Sequence, residues 1–176
     1  IEAYSKKAGF TLKSIFVIDG SKRSTKANAY FSGLGAKKKI VLYDTLIEKH
    51  TNNELVSVFA HEVGHYKKKH TRLSIILSIL QTGITLFIFS LVIDNPDLSG
   101  ALGAEKPSFH IGAIVFGMLF APVSFFLGIA MNILSRKNEF EAAAFAKETS
   151  DGAALNSALK KLSVDNLSNL TPHPWY

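Results

Sequence analysis

Apolar residues follow a strand-like pattern near the start of the chain and a helical one beyond it. Between residues 10 and 50, short apolar runs alternate with Gly- and Lys-rich turns, which predicts strands at 14–19, 27–32 and 39–44. The second and third runs are joined by a segment containing Gly33, Gly35 and Ala36. This link predicts a hairpin, and the edge of such a sheet could accept an extended peptide.

The pattern changes to helical spacing from Asn53 onward. Thr51 and Glu54 have the spacing of a capping box at a helix start. The apolar face that follows consists of Leu55, Val56, Val58, Phe59 and Val63. No Gly or Pro follows Gly64 for many residues, so we predict that this helix runs directly into the apolar segment after it.

Two apolar segments are long enough to cross a bilayer. Residues 73–93 contain no charged residue, and residues 109–134 contain only His110 as an ionisable group. A pair of buried core helices is the alternative, but apolar segments of this length are unusual in soluble cores. We therefore predict two transmembrane helices.

The charges flanking these segments predict an orientation. Acidic residues occupy the loop 94–108, whereas basic residues flank the two outer ends: Lys67, Lys68, Lys69 and Arg72 before the first segment, and Arg136 and Lys137 after the second. The positive-inside rule places those outer ends in the cytoplasm. The net charge of +6 comes without a nucleic-acid-binding module, so anionic lipid, rather than nucleic acid, is the expected partner.

These patterns predict a mainly α integral-membrane protein with a small β-hairpin or sheet cap. The predicted divisions are a β-containing region 1–50, a helix 51–72, a transmembrane helix 73–93, a non-cytoplasmic loop 94–108, a transmembrane helix 109–134, and a helix with the C-terminal segment 135–176. The helices that carry the chemistry are expected to be continuous with the transmembrane helices. The sequence does not indicate an oligomeric state.

The sequence His61-Glu62-Val63-Gly64-His65 has the spacing of a zinc peptidase. Imidazoles four residues apart on a helix share one face and can bind one Zn²⁺, and Glu62 lies beside them as a candidate general base. Cysteine is absent, so only His and carboxylate remain as strong zinc ligands.

A third ligand must come from elsewhere in the chain. Glu139 and Glu141 follow the second apolar segment, and residues two apart cannot share a helix face, so only one of them is expected to point at the metal. The other four histidines are expected to be surface or interfacial: His50, His70, His110 and His173.

Several runs together resemble the type I CAAX prenyl endopeptidase family. They are HEVGH at 61–65, SRKNEF at 135–140, DGSKRS at 19–24, NAYF at 28–31 and IVLYDTL at 40–46. The resemblance implies an integral-membrane zinc protease whose relatives have seven transmembrane helices around a chamber and remove the C-terminal tripeptide of prenylated CAAX proteins. This chain resembles an internal portion of such a protein.

By this resemblance His61, His65 and Glu139 would bind zinc, Glu62 would be the general base, and the strand with Asn28, Ala29 and Tyr30 would hold substrate. The membrane would be a bacterial inner membrane or the endoplasmic reticulum, with the active site facing the cytoplasm and a prenylated or other peptide as substrate. The alternatives are a broad-specificity HtpX-like quality-control protease and a catalytically silent membrane scaffold or fragment.

One position departs from the family pattern. The resemblance implies Asp four residues after the ligand Glu, as hydrogen-bond partner of a zinc-bound His, and this chain has Ala143 there. Loss of such a partner typically costs about 10- to 100-fold in metal affinity or activity.

Overall fold

A computed structural model describes residues 1–22, 26, 28–32, 38–106 and 108–169 of the chain. The elements are α1 Glu2–Lys7, β1 Leu12–Ile18, β2 Ala29–Ser32, β3 Lys38–Tyr43, α2 Asp44–Lys49, α3 Asn52–Lys67, α4 His70–Val92, α5 Pro96–Ala101, α6 Phe109–Thr149 and α7 Gly152–Asp165. They confirm a mainly helical fold with a small sheet. The division into six segments at the boundaries given above stays a prediction.

The described residues fall into two compact units, which are 1–70 with 136–169, and 71–135. The first unit contains the sheet and the hydrophobic core, where Ile40, Leu46, Phe59 and Val63 are fully buried. The second unit contains most of α4, α5 and the first part of α6.

The three-stranded sheet has the order β1-β3-β2. β2 and β3 pair antiparallel, with Ala29 opposite Leu42, which confirms the hairpin. β1 pairs with β3 in parallel, a long-range pairing that the sequence did not predict. Ala27 of the predicted second strand and the predicted link at 33–37 lie outside the described residues.

The capping box at the start of α3 is confirmed. The Thr51 backbone N–H donates to Glu54 Oε2 at 2.8 Å, and the Glu54 N–H donates to Thr51 Oγ1. The Glu54 carboxylate also accepts from Lys161 Nζ at 2.8 Å and from Ser157 Oγ at 2.6 Å, both on α7. These hydrogen bonds lower the pKa of Glu54 to about 2, so the first turn of α3 is fixed to α7.

The predicted continuity of the site helices with the apolar helices is confirmed on one side and wrong on the other. α6 runs unbroken from the apolar segment through Glu139. α3 instead ends at Lys67, and Lys69 adopts the left-handed conformation, with φ of 60°, before α4 begins at His70. The Lys69 N–H donates to Tyr66 three residues back, the tight turn that often ends a helix.

Two helices are long and apolar enough to cross a membrane, by length and composition. They are α4 and α6, with apolar windows of mean hydropathy 2.3 and 2.2. The share of each window buried within the chain is 0% and 6%, so these apolar side chains face outward. A bilayer is the environment that accommodates such surfaces.

Candidate metal centre

Three potential metal ligands meet on the first unit. His65 Nε2 lies 3.1 Å from His61 Nε2, and His61 Nε2 lies 3.2 Å from Glu139 Oε2. His65 Nε2 is also 3.5 Å from Glu139 Oε1. The family resemblance implied these three residues as ligands, and the fold brings their side chains together although Glu139 is far away along the chain.

The two histidines belong to α3 and the carboxylate to α6, and a glycine lets these helices approach. A Cβ placed on Gly64 would lie 3.0 Å from Cα and 3.0 Å from the carbonyl oxygen of Ala142 on α6. Ala142 is itself fully buried. The glycine inside the HEVGH sequence therefore sets the spacing between the helices that carry the ligands.

The ligand geometry and chemistry fit a zinc ion. Four ligands at about 2.0–2.1 Å in a tetrahedral arrangement lie about 3.3–3.4 Å from one another. The observed separations of 3.1, 3.2 and 3.5 Å bracket that value, and all three ligand atoms fall within 4.8 Å of one another. Two imidazoles and one carboxylate are a common ligand set for catalytic zinc.

Glu62 directly follows His61 on α3. Burial raises the pKa of its carboxyl group, and the neighbouring His61 and His65 partly oppose this shift. The contact with the Glu139 carboxylate raises the pKa of His65, against the effect of burial. Glu139 itself stays 60% exposed on its side chain, so the ligand cluster opens to the surroundings at that edge.

A further histidine and carboxylate continue from this cluster, and the sequence did not predict their role. His70, expected to be surface or interfacial, is only 5% exposed. Its Nδ1 lies 3.1 Å from His65 Nδ1, and its Nε2 lies 3.3 Å from Glu141 Oε2. The sequence feature that could have indicated this contact is the histidine five residues after His65.

The other histidines have mixed outcomes. His50 was expected to be surface or interfacial but is buried in the first unit, with its Nδ1 bonded to the Leu46 carbonyl at 3.0 Å. His110 is exposed as expected, and His173 lies outside the described residues.

The strand predicted to hold substrate lies at an edge of the sheet and contacts α3. Ala29 is partly buried against the core, whereas Asn28 and Tyr30 are exposed. The Asn28 side-chain oxygen accepts from the Ala29 N–H at 2.8 Å, and the Asn28 carbonyl accepts from Tyr43 on β3. The Ala29 N–H is thus already hydrogen-bonded to the Asn28 side chain.

Ala143 lies one helical turn beyond Glu139 and is partly buried against the core. Its methyl group cannot accept a hydrogen bond. His61 Nδ1 is buried and has no hydrogen-bond partner among the described residues. His61 Nδ1 and position 143, where the resemblance implies Asp, both lie in the first compact unit.

Comparisons with known proteins give a family match. The sequence matches Peptidase family M48 over residues 1–175. It is 41% identical to a CAAX prenyl protease 1 homolog of Oryza sativa subsp. japonica and 35% identical to CAAX prenyl protease 1 of Saccharomyces cerevisiae. Each alignment covers 100% of this chain and 42% of the relative, so the chain spans less than half the length of these proteins.

A solved structure is also similar. The crystal structure of S. mikatae Ste24p matches with a TM-score of 0.84 and 33% sequence identity, over 98% of this chain and 44% of the solved one. The fold of this chain is thus similar to one seen in a crystal structure.

Proposed function

Because this chain belongs to peptidase family M48, we propose that it forms the metal-binding part of a membrane zinc metalloendopeptidase that removes the C-terminal tripeptide of prenylated CAAX proteins. The convergence of His61, His65 and Glu139 at ligand spacing is the observation that carries this proposal. The names of the relatives support the substrate class.

His61, His65 and Glu139 would hold the zinc ion, since their donor atoms have suitable separations and chemistry. A bound Zn²⁺ would supply Lewis-acid activation of a water molecule and of the scissile carbonyl. The exposed edge at Glu139 leaves room for a peptide to approach the ligands.

Glu62 is the proposed general base. One of its carboxylate oxygens takes a proton from the attacking water and later donates it to the leaving amine. The raised pKa of this half-buried carboxyl group suits this exchange, because a more basic carboxylate holds the proton better between the two steps.

The edge strand β2 is the proposed backbone-binding element. A substrate in extended conformation would add beside Asn28, Ala29 and Tyr30, with main-chain hydrogen bonds giving affinity. Because Asn28 occupies the Ala29 N–H, its amide would have to turn aside for a substrate carbonyl to take that donor.

The two outward-facing apolar helices support a membrane location. The proposed membrane is a bacterial inner membrane or the endoplasmic reticulum, with the site on its cytoplasmic side. A prenyl chain partitions into a bilayer and would bring the attached peptide to its surface. The lipid bilayer and a lipidated peptide are therefore the proposed partners.

The test uses the purified protein in detergent with a prenylated CAAX peptide and the same peptide without the lipid. Glu62→Gln should lower cleavage by about 10²- to 10⁴-fold while zinc remains bound. The exposed Glu48 provides a matched control, and Glu48→Gln should leave cleavage unchanged.

Two outcomes would favour the alternatives. Equal cleavage of both peptides by the unaltered protein would indicate a broad-specificity quality-control protease. Zinc binding without cleavage of either peptide would indicate a silent scaffold, for which the residue at Ala143 gives a specific reason.

A further inference from the structure

A chain of polar contacts leads from the proposed metal ligands to a second carboxylate. His65 Nδ1 lies 3.1 Å from His70 Nδ1, and His70 Nε2 lies 3.3 Å from Glu141 Oε2. His70 is 5% exposed, so its two ring nitrogens have limited access to water. All three residues belong to the same compact unit.

The break between α3 and α4 makes the first contact possible. In a continuous α-helix, residues five apart lie about 140° apart around the axis, and their side chains do not meet. The left-handed conformation at Lys69 redirects the backbone just before His70. The rings of His65 and His70 consequently pack edge to face, with centroids 5.1 Å apart at 80°.

A metal-binding His65 must direct the lone pair of its Nε2 toward the other ligand atoms. With that condition, the contacts allow one consistent assignment of protons. His65 then carries its hydrogen on Nδ1 and donates it to His70 Nδ1. His70 must carry its own hydrogen on Nε2, which donates to the Glu141 carboxylate. Each donor has an acceptor, and each ring is held in one tautomer.

We propose that His70 and Glu141 are positioning residues for His65, fixing the ring orientation and tautomer in which His65 Nε2 binds the metal. The proposal rests on the proposed zinc centre. Hydrogen bonding of the outer ring nitrogen is how metal-binding histidines are usually oriented, and losing it typically weakens metal affinity by about 10- to 100-fold.

Among the described residues, His65 has a hydrogen-bond partner on its second ring nitrogen and His61 does not, so the effect of removing that partner can be measured. His61 Nδ1 has no hydrogen-bond partner among the described residues, so no equivalent chain duplicates the effect at the other histidine. The competing explanation is that His70 and Glu141 merely tie the start of α4 to α6. A purely structural tie would change stability without a selective change in metal affinity.

The test measures the zinc dissociation constant of the purified protein by competition with a chelator of known affinity. The variants are Glu141→Gln, which keeps the shape of the side chain, His70→Leu, which removes the middle ring, and the double variant. Glu148→Gln is the matched control, since Glu148 is an exposed residue of the same helix. Circular dichroism and thermal unfolding establish that each variant is folded.

We expect His70→Leu to weaken zinc binding about 10-fold or more. Glu141→Gln should weaken it less, by about threefold or more, because the amide oxygen of Gln can still accept from His70 Nε2 but does so more weakly than a carboxylate. The double variant should be no weaker than the worse single variant, because breaking one link already disconnects the chain. His70→Asn, which places a polar atom near the position of Nδ1, should recover part of the affinity and serves if His70→Leu does not fold.

Affinities within about twofold of the Glu148→Gln control for the folded variants would overturn this inference and leave the proposed metal centre intact. Additive losses in the double variant would also overturn it, since they indicate two independent effects. Failure of the unaltered protein to bind zinc would overturn the metal centre, and this inference with it.

Discussion

Gly64 lies against Ala142 so closely that a side chain on Gly64 has no room. A Cβ there would lie 3.0 Å from the Ala142 Cα and carbonyl oxygen and 3.3 Å from Phe145 Cβ. Two of these three atoms belong to the backbone of α6, which cannot move aside as a flexible side chain could. The glycine is therefore a spacing device between two helices that carry ligands.

Gly64→Ala is expected to destabilise the protein by about 1–3 kcal/mol and to weaken zinc binding, because α6 must retreat and take Glu139 with it. Thermal unfolding and zinc competition measure the two effects. Gly83→Ala is the control, since a Cβ at Gly83 meets nothing within 4 Å. An unchanged zinc affinity in Gly64→Ala would show that the ligands tolerate a wider helix separation.

Ala143→Asp is expected to tighten zinc binding by about 10-fold or more. His65 Nδ1 is engaged by His70, so of the two ligand histidines it is His61 whose Nδ1 has no partner among the described residues. Position 143 shares a helix face with Glu139, so a carboxylate there could accept from that nitrogen. Zinc competition decides the matter, with Ala143→Asn as a neutral comparison, and weaker binding in Ala143→Asp than in Ala143→Asn would contradict this reasoning.

Glu54 is expected to make stability depend on pH in the acid range. Hydrogen bonds from Lys161, Ser157 and the Thr51 backbone lower its pKa from 4.5 to about 2. The depressed pKa means that its contribution is complete above about pH 4.5 and is lost as the pH falls through about 2. Thermal unfolding across that range should show a steeper loss for the unaltered protein than for Glu54→Gln, and parallel curves would contradict the assignment.

Lys69 is expected to tolerate glycine and reject a β-branched residue. Its φ of 60° lies in the left-handed region, which costs L-residues about 1–2 kcal/mol, most for branched side chains. Lys69→Val should therefore lower the melting temperature, whereas Lys69→Gly should change it little. Equal melting temperatures for the two variants would show that this conformation is not required.

Local patterns predicted much of the first unit. The capping box at Thr51 and Glu54, the apolar face ending at Val63 and the hairpin of β2 and β3 each depend on neighbours close in sequence, and the structure has all three. The preference for Glu139 as partner of His61 and His65 came from the family resemblance. The geometry brings these side chains together, although their metal-binding role stays a prediction.

Features decided by distant contacts were missed. Parallel pairing of β1 with β3 depends on chain closure that no local pattern encodes. The end of α3 lies among three lysines, without the Gly or Pro that normally signals such an end. With that break unforeseen, His70 could not be placed beside His65, and Glu141 was seen only as a competitor of Glu139.

α3 is attached to α7 and to the residues just before α7, and this attachment affects how a metal ion enters the proposed site. Glu54 is bound by Lys161 and Ser157, and Ser57 bonds to Ser150 and to the Asp151 carbonyl at 3.0 Å each. The helix bearing both imidazoles is thus preorganised by protein contacts alone. Chelation should therefore be reversible without refolding, and reloading should proceed at a rate limited by access to the ligands.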